Sequence, residues 1–385
     1  MDGKNITMHG VQALQWLPSY MVPFFTLSYP TTRPSEPDSF PTSNYYDIGL
    51  LDACFIIGCI AVMAILRDAT RLGIMEPFAR WYLSRKFARD VEAKCQQNGT
   101  SNGAVNGNAN GHGLIEKPAD SLRRKKREEK LITRSVLRFA EQGWSVIYYT
   151  CQWSYGLYIH INLPVYPFDP DNLWIGFPHT PLSGPLKFYY LTQLAFYMHQ
   201  ILILNAEARR KDHVQMMTHH VITIALIIAS YNYNCTRIGC LIMVLMDWCD
   251  IFLPLAKMLK YIGFNTLCDA TFTWFLLSWL VTRHILFMRV IWAAFMHTPY
   301  LRSETWAQDR TLYLSYDVWV AFIVLLVALQ IIQMIWFWMI CRVAWKVISG
   351  QGAEDTRSDD EDFPEEVDGA TEIPIPQNSD LKRRR

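Results

Sequence analysis

The sequence predicts an all-α polytopic membrane protein with about seven transmembrane helices. Three observations carry this. Of 385 residues, 51% are hydrophobic and only 18% charged, where a soluble chain has about 25% charged residues. The charge is also segregated: the stretch from Arg67 to Arg138 is basic, and the sequence from Ser349 is acidic until its closing Lys382-Arg383-Arg384-Arg385. Finally, seven apolar windows approach the length needed to cross a hydrocarbon layer of about 30 Å. Basic runs that flank apolar helices, with no folded polar domain between them, argue against a nucleic-acid binder.

In chain order, residues 1–47 read as an N-terminal segment, in which Val11 to Tyr29 is apolar but broken by Pro18 and Pro23 and so lies at the membrane interface. The windows follow at about 48–66, 138–160, 188–206, 216–235, 238–258, 267–291 and 317–341. Arg67, Arg71, Arg80, Arg85, Lys86 and Arg89 follow the first window, Arg209, Arg210 and Lys211 the third, and Lys257 and Lys260 close the fifth. Because Lys and Arg concentrate in cytosolic connections, these ends face the cytosol. The N-terminus, the Pro-rich 161–187 loop, the turn near Asn234 and the 292–316 loop are then luminal. Residues 67–130 read as a basic cytosolic linker whose Gly/Asn-rich part, 95–113, cannot bury a core and is expected to be disordered. The basic run Leu122 to Arg127 reads as a topology determinant. Residues 346–385 form an acidic cytosolic tail. No cleavable leader is expected, since no small-residue cleavage site follows a basic start. Nine scattered cysteines without a CxxC pair read as packing residues, and no internal repeat is evident.

Charges and imidazoles at membrane depth are costly, so each within a window is a functional candidate. His219 and His220 lie about one turn inside the fourth window. Asp247 and Asp250 are three residues apart in the fifth, on one helix side. Two imidazoles and two carboxylates on consecutive antiparallel helices can therefore meet. Neighbouring histidines differ by about 100° around the axis, so one faces a reaction centre while the other positions it. A carboxylate that fixes the tautomer makes an imidazole a better base or nucleophile, which suits acyl transfer to an amine or hydroxyl. A tetrahedral metal site is the competing reading of two His and two Asp; the ten histidines of the chain supply only one tight pair, and no metal is expected. His199, Gln330 and Gln333 read as interhelical hydrogen-bonding groups. Arg283 and His284 count toward the luminal side and are not assigned to catalysis.

The segment 216–261, MMTHHVITIALIIASYNYNCTRIGCLIMVLMDWCDIFLPLAKMLKY, resembles the signature of the ceramide synthases within the TLC-domain family. The double His is followed in order by Thr223, Ser230-Tyr231, Asn234, Arg237, Gly239, Asp247, Asp250, Lys257 and Tyr261. Met246 and Pro254 depart from the animal pattern and mark a fungal type. Weaker resemblance extends from about Trp16 through the first window and again to residue 345.

The resemblance implies a TLC catalytic domain at 131–345, a six-helix bundle enclosing a lipid cavity, in a multi-pass protein of the endoplasmic reticulum membrane. It implies a sphingosine N-acyltransferase that joins a fatty acyl group from acyl-CoA to the amine of a sphingoid long-chain base. Acyl-CoA is a substrate and no cofactor is implied. His219 is expected as acyl acceptor or general base, with His220, Asp247 and Asp250 orienting and charging the imidazole, and with the anionic CoA at a mouth formed by Arg209, Arg210 and Lys211. A small single-pass subunit is a partner that fungal relatives can use, and the reading leaves room for a homo-oligomer. The rival classes are a non-catalytic TLC-domain lipid sensor or carrier and a membrane transporter, which would want polar groups on both sides of a midplane site. Ser358, ahead of Asp359-Asp360-Glu361-Asp362, reads as an acidophilic-kinase site. Topology is open to direct test: Asn5, in Asn5-Ile6-Thr7, will be glycosylated and Asn98, in Asn98-Gly99-Thr100, will not. A glycosidase-sensitive gel shift lost in Asn5→Gln and kept in Asn98→Gln checks this; the opposite pattern reverses the orientation.

Overall fold

The computed structural model describes residues 17–35, 39–101, 118–164, 168–174, 177–206, 212–304 and 316–349. Asn5, Arg209, Arg210, Lys211 and Ser358 lie outside the described residues. Each of the seven apolar windows falls in a helical rod. The helices are α1 (Asp52–Thr70), α2 (Glu76–Ser101), α3 (Pro118–Ile161), α4 (Gly184–Ala206), α5 (His213–Asn232), α6 (Thr236–Ile262), α7 (Asn265–Trp279), α8 (Phe287–Glu304) and α9 (Tyr316–Ile348). A π-helical turn, Arg71–Met75, joins α1 to α2, and a second, Leu280–Leu286, joins α7 to α8. The chain is an all-α polytopic membrane protein.

Among the described residues, five rods are long and apolar enough to cross a membrane by length and composition: Asp52–Arg89, His213–Asn232, Thr236–Ile262, Asn265–His297 and Tyr316–Lys346. The polarity of α4 has a simple cause: residues 189–197 are buried without interruption, so this stretch faces protein on all sides and needs no lipid-compatible surface, while the apolar Phe188, Met198 and Leu202 on either side of it are exposed. Its Tyr, Thr and Gln side chains bond to neighbouring helices, as with Thr192 Oγ1, which accepts from Gln152 Nε2 of α3 at 3.0 Å. Helix α3 is long but begins with the charged run of residues 121–130.

The rods alternate in direction, which gives the bundle two ends. At one, the N-terminal segment and the loop before α4 share a small antiparallel sheet of β1 (Pro30–Thr31), β2 (Tyr45–Tyr46) and β3 (Leu182–Ser183), with Thr31 opposite Tyr45 and Tyr45 opposite Ser183. The two segments read from charge as luminal are thus paired directly. Of the interfacial stretch, residues 17–29 hold one short 3-10 turn, Val22–Phe24. It sits so near α1 that a Cβ on Gly58 would meet the Phe24 carbonyl oxygen at 2.2 Å. At the opposite end the described parts of the expected linker, 67–101 and 118–130, are helical, and most of the Gly/Asn-rich tract lies outside the described residues. Helix α1 runs to Thr70 and α2 to Ser101, taking in the start of the Gly/Asn-rich tract, and α3 begins at Pro118. The reason is an apolar seam: Ala79 and Leu83 of α2 pack on Val136 and Phe139 of α3, with Met258, Tyr261 and Ile262 of α6 against them. Lys86 Nζ donates to the Ile262 carbonyl at 3.0 Å, satisfying a free acceptor at the end of α6.

The sheet end is tied to the bundle by a buried charge. Lys187, fully buried near the start of α4, pairs with Asp52 at 2.7 Å and donates to the Ser28 and Asp47 carbonyls at 2.9 and 2.7 Å. The other Asp52 oxygen accepts from Tyr231 of α5 at 2.9 Å and from the Gly49 amide at 3.1 Å. One ion pair therefore holds the N-terminal segment, α1, α4 and α5. Removing one partner strands the other charge, so Lys187→Met is expected to destabilise the protein by about 3–5 kcal/mol, and Lys187→Met combined with Asp52→Leu to recover part of that loss. Thermal unfolding of the purified variants in detergent checks both; equal melting of wild type and Lys187→Met would show that the clamp carries no stability.

Candidate functional site

The polar groups singled out in α5 and α6 lie toward the interior of the bundle, but in two separate sets. A cavity runs among α5, α6, the π turn, α8 and α9, and His219, Asp250 and Arg283 bring an imidazole, a carboxylate and a guanidinium to its lining. Apart from Tyr197, Thr223, Ser230 and Gly239, the rest is chiefly apolar: Leu226, Ile242, Met243, Ile323 and Leu326 are typical, with Trp174, Trp319 and Phe322 toward the sheet end. His220 and Asp247 turn the other way, toward α4. Asp247 is fully buried; one carboxylate oxygen accepts from Gln193 in a short contact and the other from Tyr197 at 3.4 Å. The Tyr197 ring also packs on His220, with centroids 5.8 Å apart.

No hydrogen bond joins these imidazoles to these carboxylates among the described residues. His220 Nδ1 instead donates to the Met216 carbonyl, one turn earlier, at 2.7 Å. A carbonyl can only accept, so Nδ1 carries the proton and, in the neutral ring, Nε2 holds the lone pair. His219 is held by rings: His220 at 5.5 Å and Trp336 of α9 at 5.1 Å. Its Nδ1 is buried with no hydrogen-bond partner, a nitrogen not committed to its own surroundings.

Asp250 has a partner that the depth count missed. Arg283 Nη2 donates to Asp250 Oδ1 at 2.7 Å and to the Met246 carbonyl at 2.6 Å, and Nη1 donates to Gln333 of α9 at 3.1 Å. The guanidinium lies over the Trp279 ring at 4.1 Å and is 3% exposed. Counting residues placed Arg283 nearer the sheet end than Asp250. A Cα–Cβ bond, however, tilts toward the N-terminus of its own helix; α6 begins at the sheet end and α7 at the other, so the two side chains lean toward each other. The signal available in sequence was an arginine inside an apolar window, costly without an acid.

The remaining candidates separate cleanly. Gln333 bonds Arg283, and Gln330 pairs with His284 Nδ1 at 2.8 Å, both interhelical as expected. His199 is buried and lines no part of this cavity. Three other residues of the 216–261 segment have structural duties: Asn234 takes the left-handed turn between α5 and α6 at φ 60°, and Tyr231 reaches the Asp52 clamp. Gly239 allows close packing, since a Cβ there would lie 1.9 Å from Tyr190 Oη.

Residues 138–342, which contain the whole of this site, match the family model of the TLC domain. The chain belongs to the TLC-domain family. Curated relatives agree with that placement. A ceramide synthase of Gibberella moniliformis is 33% identical over 352 residues, covering 85% of this chain and 71% of its own length. The sphingosine N-acyltransferase lag1 of Schizosaccharomyces pombe is 41% identical over 238 residues, 62% of this chain and 61% of its own length. Ceramide synthase 5 of Homo sapiens is 33% identical over 244 residues, 62% of this chain and 58% of its own. The chain therefore spans between 58% and 71% of the length of these three relatives.

Proposed function

We propose that this TLC-domain protein is an acyl-CoA-dependent ceramide synthase that N-acylates a sphingoid long-chain base through an acyl-imidazole on His219. The observation that carries the reading is the apolar cavity with an imidazole, a carboxylate and a guanidinium at one wall. The acyl chain takes the apolar part, with its thioester beside His219. The imidazole attacks the carbonyl carbon, the C–S bond breaks, and the CoA thiolate leaves with the imidazole proton. The amine of the base then attacks the acyl-imidazole; the new amide forms and its proton returns to the ring. Splitting the transfer in two means that the two bulky lipids need not react in one step, and a water-poor cavity protects the intermediate from hydrolysis.

His220 supports this chemistry through its unprotonated Nε2, and Asp247 supports it by holding Tyr197 against the His220 ring. CoA, highly anionic, remains in water near Arg209, Arg210 and Lys211, which follow α4. The relatives' names support the substrate class, and the resemblance supports the endoplasmic reticulum membrane as the compartment. A lipid sensor or carrier would have no use for a carboxylate and a guanidinium buried at the cavity wall, and a transporter would want polar groups on both sides of it.

His219→Ala, His220→Ala, Asp247→Asn and Asp250→Asn are each expected to lower N-acyl transfer by at least about 100-fold, the scale for losing a positioned acid–base group. Transfer is measured on purified protein of unchanged chromatographic behaviour, with one long-chain base and acyl-CoAs of graded length. Brief incubation with acyl-CoA and no amine should leave a hydroxylamine-sensitive adduct on the peptide spanning 212–237, absent in His219→Ala. Turnover without an adduct would point to direct aminolysis with a histidine as base, and full activity in all four variants would exclude this site.

A further inference from the structure

Arg283 does more than neutralise Asp250. A guanidinium has five N–H donors, of which three are engaged, by Asp250, the Met246 carbonyl and Gln333. Of the two that remain, the Nε–H is buried with no hydrogen-bond partner of its own, and the group's further contact is with the thiol sulfur of Cys249, a weak acceptor. The group lines the cavity together with His219. Helix α9 brings the two near each other: Gln333 and Trp336, three residues apart and so on one side of that helix, contact Arg283 and His219 respectively. The Trp279 ring beneath the guanidinium and the Asp250 pair beside it fix its plane without occupying the remaining donors.

Attack on a thioester places negative charge on the carbonyl oxygen, and fixed donors in a water-poor site are worth most where such charge develops. We propose that Arg283 is a catalytic residue, donating N–H groups that no protein oxygen takes to the carbonyl oxygen of the acyl group during both the acylation of His219 and the subsequent aminolysis. This deepens the acyltransferase reading and rests on it. In each step the carbonyl π pair moves onto oxygen as the new C–N bond forms and returns as the C–S or the C–N(imidazole) bond breaks. No group beyond acyl-CoA and the amine is consumed.

The test compares Arg283→Gln and Arg283→Lys with wild type in three measurements: detergent melting, the single-turnover rate and amplitude of adduct formation from acyl-CoA, and steady-state kcat and KM. Lysine keeps a cation for Asp250 but not the planar fork of donors. Arg283→Gln is expected to slow acylation by about 100- to 1,000-fold, with adduct amplitude and KM for acyl-CoA near wild type. Arg283→Lys should melt like wild type and still lose at least about tenfold in rate. A reduced amplitude with an unchanged rate constant would mean fewer correctly folded molecules and would overturn the proposal, as would loss of the fold in both variants. If wild type turns over without an adduct, the covalent reading fails alone, because direct aminolysis passes through the same oxyanion. Arg283 is then judged on kcat per folded molecule, where a fall at constant KM supports it and a change within about threefold overturns it.

Discussion

The bundle is organised around the need to keep ionised groups away from lipid, and the Arg283–Asp250 pair is where that need is greatest. A lone guanidinium or carboxylate at this depth would be too costly to retain. Pairing them obliges α6 to lie against the π turn, and the further bond to Gln333 brings α9 to the same place. The cavity is the space left where these elements meet α5. Its polar wall is therefore part of the packing of four helices, which is why the site has few degrees of freedom.

The same constraint appears at the sheet end in a form unrelated to chemistry. Lys187 and Asp52 are more deeply buried than the Arg283–Asp250 pair, yet their remaining bonds go to backbone carbonyls, a backbone amide and a tyrosine hydroxyl of the N-terminal segment and neighbouring helices. Asp250 differs in a telling way: its side chain is 27% exposed and borders the cavity. Burial alone does not separate a structural ion pair from a functional one; an opening beside it does.

Much of this was legible in the sequence. The seven rods follow from apolar windows, and His219, His220, Asp247 and Asp250 stood out because such residues are rare in apolar stretches. Direction was not legible. A spacing of three residues leaves two side chains about 60° apart around the axis, enough for Asp250 to face the cavity while Asp247 faces α4. Counting heights along the axis also ignores the tilt of side chains, which hid Arg283 from Asp250. The helical arm from α2 and α3 was missed because its high charge masked the short apolar seam of Ala79, Leu83, Val136 and Phe139. Lys187 was passed over because nothing local names Asp52 as its partner, 135 residues earlier in the chain.

The π turn at Leu280–Leu286 sets the angular phase of everything beyond it. Widening one stretch of helix adds a residue to the circuit, and each residue inserted into or removed from a helix rotates all later side chains of the rod by about 100°. Trp279 before the turn and Phe287 after it are both buried, so the rod needs this phase slip to present its inward faces on both sides. The length of this segment is thus under tighter constraint than its composition. A one-residue deletion there would carry Arg283 round to another neighbour while leaving the chain as apolar as before, a change that hydropathy would not register.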